Sequence, residues 1–309
     1  MKMTRAIFIG LSTIDIVYNV DQFPSHNTKI TANSQDVYVG GPAANASIAF
    51  AHLGGRPALV TSVGRHALAH VIREEMERFS IQLVDLNPEF HGVPVISSVA
   101  VDREGRRNVV SANAIRIAPP AARVDEQLLS DARVILVDGH FMQACQAWAA
   151  AARSRKIPVV LDGGSWKEGA EGLLRDVHTA ICSADFLPPG CDKAEEVFEF
   201  LKRRGVTNMA ITDGAAPIQF MSGQSSGTIK VPQVDVVDTM GAGDILHGAF
   251  CYLATTGLGF IESLGQAAKI ASESCRYRGT REWTKAISAQ NLNAELELNA
   301  ELASADFER

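Results

Sequence analysis

Between Val236 and Phe250 the chain reads VVDTMGAGDILHGAF, a β-branched lead into Gly-Ala-Gly-Asp followed by an apolar run. Ile245, Ala249, Tyr252 and Leu253 recur at helical spacing and the pattern closes at Gly257, so a helix beginning within Gly241–Asp244 is expected. The first amides of a helix lack intrahelical acceptors and sit at the positive end of the helix dipole. Small residues there let an anion approach closely, which makes Gly241, Ala242 and Gly243 a candidate phosphate cradle. Asp244 adds negative charge beside that cradle. Its placement makes sense if the carboxylate removes a proton from a hydroxyl that attacks phosphorus. Helix capping is the competing role for Asp244, and this stretch alone leaves both open.

Spacing excludes two other glycine-loop chemistries. A dinucleotide turn needs a third small residue at 246, where Leu246 stands, so an NAD-linked oxidoreductase is not indicated. No G-x-x-x-x-G-K-S/T string occurs, which removes an ordinary P-loop. A second constellation, VGGPAANASIAFAHLGG (39–55), sets Gly40 and Gly41 before a helix of small residues with Asn45 near its start. Paired glycines allow a ligand close to the backbone, and the Asn45 amide offers a donor and an acceptor to a sugar hydroxyl. A tight turn with close helix packing would use the same residues.

The elements that must position these residues follow from the apolar runs. AIFIGL (6–11), ALVTSVG (58–64), VILVDG (134–139), PVVLDGG (158–164) and MAITDG (209–214) suit strands buried on both faces of a parallel sheet. Helical patterns lie between them, in AANASIAFAHLGG, HALAHVIREEMERFS, ACQAWAAAARSRK and KAEEVFEFLKRRG. This alternation predicts an α/β, doubly wound, mostly parallel sheet flanked by helices, with ligands beyond the carboxyl ends of the strands, near Asp138, Asp162 and Asp213. Residues 15–39 and 93–113 are polar, alternate with period two and lack helical patterning, with a hairpin turn near Glu104–Gly105. They predict a small antiparallel β lid on an α/β body, the whole of 1–309 forming one domain. The acidic-hydrophobic end, 293–309, is read as a peripheral helix or tail.

Composition narrows the function classes. The 309 residues are 46% hydrophobic and 21% charged, enough for a sizeable core. A net charge of -6 gives no general attraction to nucleic acid or to an anionic membrane. Five scattered cysteines without a C-x-x-C pair argue against a zinc ribbon and for reduced, buried thiols in a cytoplasmic protein. The apolar N-terminal run is interrupted by Asp15 and reads as a buried first strand, not a signal peptide.

Taken together, GGPAANASIAFAHLG and DTMGAGDILHGAF resemble the two signature regions of the PfkB/ribokinase family of carbohydrate kinases, in the expected order, and the likeness covers essentially residues 5–285. The resemblance implies a ribokinase-like fold and ATP-dependent phosphorylation of a sugar, with Mg²⁺ required. It allows a monovalent cation such as K⁺ near Asp238 and the RYRGT loop. Asp244 would be the general base, with the amides of Gly241, Ala242 and Gly243 around the transferring γ-phosphoryl group. Asp15, at the first strand's end, would bind sugar hydroxyls together with Gly40, Gly41 and Asn45. Thr212 and Gly214 of ITDG, with Ser183 and Thr239, would lie on the nucleotide side. Where many members carry Asn-x-x-Glu to organise Mg²⁺, this chain has Ser183 and Phe186, with Asp185 as a substitute acid. A homodimer through the β lid is also expected.

The motifs look closest to the ketohexokinase and sulfofructose-kinase-like branches. His140 follows VILVDG where an anion-reading branch would carry arginine, which favours a neutral sugar, a ketohexose such as fructose. Arg106, Arg107 and Arg116 keep an anionic substrate open, and Asn113 lies in the same region. Tyr18, Phe23 and Tyr38 keep a nucleoside kinase open. A non-catalytic sugar- or nucleotide-binding regulator is the remaining alternative, against which the intact Asp244 argues. Lys29 is read as a solvated lid residue.

Overall fold

The computed structural model describes residues 4–112, 114, 117 and 123–287. From the N-terminus, β1 (Arg5–Ile9) is followed by β2 (Thr13–Asn19) and β3 (Ser34–Gly40), which leave the main sheet. The chain returns through α1 (Pro42–His52), β4 (Arg56–Thr61), α2 (Ala69–Arg78) and β5 (Gln82–Asp85), then leaves again as β6 (Ile96–Val101) and β7 (Arg107–Ser111). Helices and strands next alternate as α3 (Glu126–Ser130), β8 (Ala132–Val137), α4 (Met142–Ser154), β9 (Val159–Gly163), α5 (Ala170–Leu174), β10 (Thr179–Ser183), α6 (Ala194–Arg203) and β11 (Asn208–Thr212). A hairpin, β12 (Ile218–Ser222) and β13 (Ser225–Ile229), precedes α7 (Ala242–Ala254), α8 (Phe260–Ser274) and α9 (Glu282–Ala286).

The main sheet runs β13-β12-β11-β10-β9-β8-β1-β4-β5, parallel except for the β12–β13 hairpin at one edge. β1 lies inside the sheet with helices over both faces, so Ala6, Ile7, Phe8 and Ile9 are fully buried and the run needs no polar alternation. Chain order reverses between β1 and β8, which opens a crevice beyond their carboxyl ends. Asp138, just past β8, braces that point. Its carboxylate accepts from the Leu11 amide (2.8 Å), the Ala43 amide (3.2 Å) and the His140 amide (2.8 Å). One buried acid thereby ties the exit of β1 and the start of α1 to the β8 turn.

The smaller sheet has the order β3-β2-β6-β7. Its two hairpins are antiparallel, as the period-two segments predict, and they join through the parallel pair β2–β6. The turn between β6 and β7 contains Gly105 at φ 76, at the predicted position. β10 lies in the stretch read only for metal-organising residues. Its TAICS run is too short and too lacking in flanking turn signals to stand out as a strand, yet it pairs in register with both β9 and β11. All five cysteines are buried and unpaired, as expected. The acidic segment 293–309, Asn113 and Arg116 lie outside the described residues.

Candidate active site

α7 begins where the glycine pattern places it. Gly241 is the N-cap at φ 71, a left-handed conformation suited to glycine, and Asp244 falls in the first turn. The amides of Gly241 and Gly243 donate to no other group among the described residues, while that of Ala242 reaches the Thr239 carbonyl at 3.3 Å. Asp244 makes no capping bond. Its Oδ2 instead accepts a 2.7 Å hydrogen bond from Nδ2 of Asn45.

Asn45 sits in the first turns of α1, a helix entered through Gly41 at φ 95 and Pro42. A Cβ at Gly41 would crowd the Leu11 carbonyl, and one at Gly40 would overlap the Asp15 carboxylate. α1 and α7 cross closely because Gly248 faces the Ala46 carbonyl without a side chain. That contact brings Asn45 to Asp244. The Asn45 Oδ1 accepts from Nη1 of Arg281 at 3.0 Å, so its acceptor and one of its N–H groups are engaged within the protein and not open to a sugar. Arg281 is only 7% exposed, and the sequence reading missed it, although it directly follows the RYRGT loop considered for a monovalent cation.

Asp15 belongs to β2 of the smaller sheet and not to the end of β1, where the sequence reading put it. Its carboxylate lies against Gly40 and accepts from the Thr13 hydroxyl at 2.7 Å. Burial holds its pKa above the ordinary aspartate value, against hydrogen bonds from Thr13 and Ser97 and the charge of Arg281. Asp244 is pushed up to about 7, chiefly by burial and next by the charge of Asp162, while the Asn45 bond and His247 pull it down. Beneath the turn, His247 faces the Gly243 carbonyl with Nδ1 (2.7 Å) and the Ile181 carbonyl with Nε2 (3.0 Å). A neutral ring can satisfy only one of these acceptors. The buried Asp162 carboxylate stands 3.5 Å from Nδ1, and its Oδ2 accepts no hydrogen bond. His140, half-buried beside Asp138, has its pKa lowered by burial.

Beside the anion cradle is an apolar cavity of about 200 Å³ whose lining includes Thr212, Gly214, Thr239, Ala242 and Gly243. Four residues assigned to phosphates or nucleotide thus share one cavity wall with Thr212. Ser183 ends β10, next to Thr212 in register, and its hydroxyl accepts from the Asp185 amide. Asp185 is exposed, and Phe186 is buried against Trp166, so the position of the missing glutamate faces core. Asp138 and Asp162 are buried at the strand ends, whereas Asp213 is exposed.

Arg106 pairs with Asp102 in the hairpin turn. Arg107 crosses from β7 to bond Asp238 (2.9 Å) and the Thr239 hydroxyl (2.7 Å). Asp238 also accepts from the Met240 and Gly279 amides, so a guanidinium meets its charge where the sequence allowed a monovalent cation. Tyr18 lies on the face of β2 opposite Asp15, by strand alternation, and the Tyr38 ring abuts Gly279. Phe23 is half-buried, and Lys29 is exposed.

The profile of the pfkB family carbohydrate kinases matches residues 3–286. The ribokinase of Lactococcus lactis is 23% identical over 309 residues, covering 96% of this chain and 99% of that protein. An ATP-dependent ribose-1-phosphate kinase of Halopiger xanaduensis is 24% identical over 80% of this chain and 84% of its own length. The solved structure of Arabidopsis thaliana ribokinase, complexed with ribose and ATP, superposes with a TM-score of 0.78 at 19% identity, over 96% of this chain and 99% of that one.

Proposed function

The chain belongs to the pfkB family of carbohydrate kinases, and from that membership we propose that Asp244 takes the proton from an acceptor sugar hydroxyl as it attacks the γ-phosphorus of ATP. The observation that carries this reading is the placement of Asp244 in the first turn of α7, beside the Gly241 and Gly243 amides, which have no acceptor among the described residues, and next to Ala242 and Gly243 at the wall of the apolar cavity. A hydroxyl held against Asp244 would face a phosphoryl group held on those amides, so base and anion hole act on the same two reacting atoms. The apolar cavity takes the nucleotide, with Thr212, Gly214, Thr239 and Ser183 on its phosphate side. Asp15, Gly40, Gly41 and the remaining Asn45 N–H line the sugar side, with His140 across the cleft.

Among the described residues no group of three His, Cys, Asp or Glu side chains could hold a metal ion. Magnesium keeps several waters and binds through phosphates and at most one or two carboxylates, so this donor set fits a metal that arrives with the nucleotide. We assign the exposed Asp185 to that metal, which supplies charge neutralisation on the phosphates.

The acceptor in this reading is a neutral sugar, supported by His140 in place of an arginine beyond β8 and by the engagement of Arg106 and Arg107 with Asp102 and Asp238. A ketohexose such as fructose is one candidate. Ribose, on which the similar Lactococcus enzyme is named, is the other. An ATP-consumption screen across ketoses, aldoses, sugar acids, sulfosugars and nucleosides tests the assignment. Turnover confined to nucleosides or to anionic sugars overturns it, and ATP binding without any turnover favours the regulator.

The smaller sheet is proposed to close over the sugar and to form a homodimer through its outward face. Val37 is 52% exposed and Val110 75% exposed on that face, with Ile16 and Ser98 between them by register.

A further inference from the structure

Arg281 lies 236 residues from Asn45 in sequence and belongs to the loop just before α9, yet it is buried under the proposed base. Its guanidinium serves four acceptors, on three separate elements and its own loop. Nε donates to Oε1 of Glu75 on α2 (2.7 Å), Nη2 to the Val39 carbonyl on β3, and Nη1 both to the Thr280 carbonyl and to Oδ1 of Asn45 on α1, each at 3.0 Å. The ring of Phe79 covers it from 6.0 Å. A guanidinium held this way cannot turn, and it offers only donors.

That constraint decides which way round Asn45 sits. An asparagine amide can exchange its oxygen and nitrogen by a half-turn about one bond. With Nη1 fixed on one side, only Oδ1 can face it favourably, and the other end of the amide must present Nδ2 to Asp244. The reversed amide would set an N–H against the guanidinium and an oxygen against a carboxylate. We propose that Arg281 is a positioning residue for the transfer step: through Asn45 it fixes the orientation of the Asp244 carboxylate and favours its charged form. This rests on the reading of Asp244 as the base.

The electrostatic surroundings allow a specific expectation. Asp244 is faced by Asp162 from β9, Asp138 from the end of β8 and His247 from its own helix, with His140 and Lys167 acting on Asp162 behind it. Arg281 is faced by Glu75, Asp244 and Asp15. Arg281 is thus a permanent cation with a hydrogen-bonded path, through Asn45, to Asp244. A cation in direct contact lowers a carboxylate by about 1–3 units, and through one intervening amide a shift of about 0.5–1 unit is expected.

The test is a carboxyl-carbon NMR titration of the full-length protein without ligands, with the Asp244 signal assigned by its loss in Asp244→Asn. In Arg281→Met the midpoint should rise by about 0.5–1 unit. In Arg281→Lys, which keeps charge but loses the fork, a smaller rise is expected, and this variant carries the test if the methionine variant does not fold. A midpoint unchanged in the folded variants, even with a lower Tm, overturns the proposal. Because the titration reads the carboxyl group itself, its failure is separate from that of the base assignment, which full turnover by Asp244→Asn would overturn.

Discussion

Asn45 and Asp244 stand 199 residues apart in the chain and meet through a 2.7 Å hydrogen bond from Nδ2 to Oδ2. The bond joins the two glycine-rich stretches into one site, and it gives the acid a donor without consuming the α7 amides. In the proposed reaction, Asp244 therefore keeps one oxygen for a substrate hydroxyl while the α7 amides stay open to a phosphoryl group.

Replacement of that acid should be the most damaging single change to turnover. Asp244→Asn is expected to lower kcat by about 10²–10⁴-fold, the range for loss of a general base, with ATP binding retained. Wild-type turnover with the sugar identified by the screen would remove Asp244 from the mechanism.

The elevated pKa of Asp244 has two consequences of known sign. A base must be ionised, so kcat/KM for the sugar should climb as pH rises through about 7. The protonated form is favoured on folding, so its contribution to stability is complete below about pH 4 and is lost as pH rises through about 7. Asp244→Asn should accordingly raise Tm at pH 8 and have little effect at pH 4. A Tm difference independent of pH would contradict the burial argument.

Asn45→Ala removes the donor to Asp244 and leaves Nη1 of Arg281 without that acceptor. The expected result is a lower kcat and a higher KM for the sugar, with KM for ATP little changed. Equal rises in both KM values would argue that Asn45 acts on neither the sugar nor the base.

The helix crossing that brings these residues together can be tested through Gly248. Alanine is the better helix former, yet its Cβ would overlap the Ala46 carbonyl. Gly248→Ala is expected to destabilise by about 1–3 kcal/mol, as overpacking usually does, measured by urea unfolding. A neutral or stabilising result would mean that α1 and α7 separate freely.

The dimer assignment is tested by sedimentation. Val110→Asp places a charge on the most exposed apolar position of the smaller sheet and should shift a dimer to monomer at low micromolar concentration. A wild-type protein that is monomeric at all working concentrations rejects the assignment.

Much of this site was legible because it depends on local geometry. A left-handed residue at the start of α7 favours glycine, an anion cradle needs small residues, and a phosphoryl-transfer base belongs within a turn of it, so 241–244 carries the features of the proposed chemistry in a four-residue string. The buried parallel strands were legible because burial on both faces removes alternation. β10 was missed because its five residues carry too little pattern to be told from a loop.

What escaped was non-local. Asp15 was assigned to the sugar, but its place on the smaller sheet follows from β2–β3 pairing, which spacing alone did not reveal. Arg281, an arginine in a polar loop, looks solvated until α1, α2 and β3 close around it.

The sequence by itself determined the α/β class, the start of α7 and the kinds of residue able to cradle a phosphate, because helix ends, strand burial and glycine conformation act over a few residues. Only the tertiary structure decided that Asn45 bonds Asp244, that Arg281 bonds Asn45 and that Arg107 pairs with Asp238. Those choices follow from which donors and acceptors are brought within hydrogen-bond range and shielded from water, and that depends on chain segments more than a hundred residues apart.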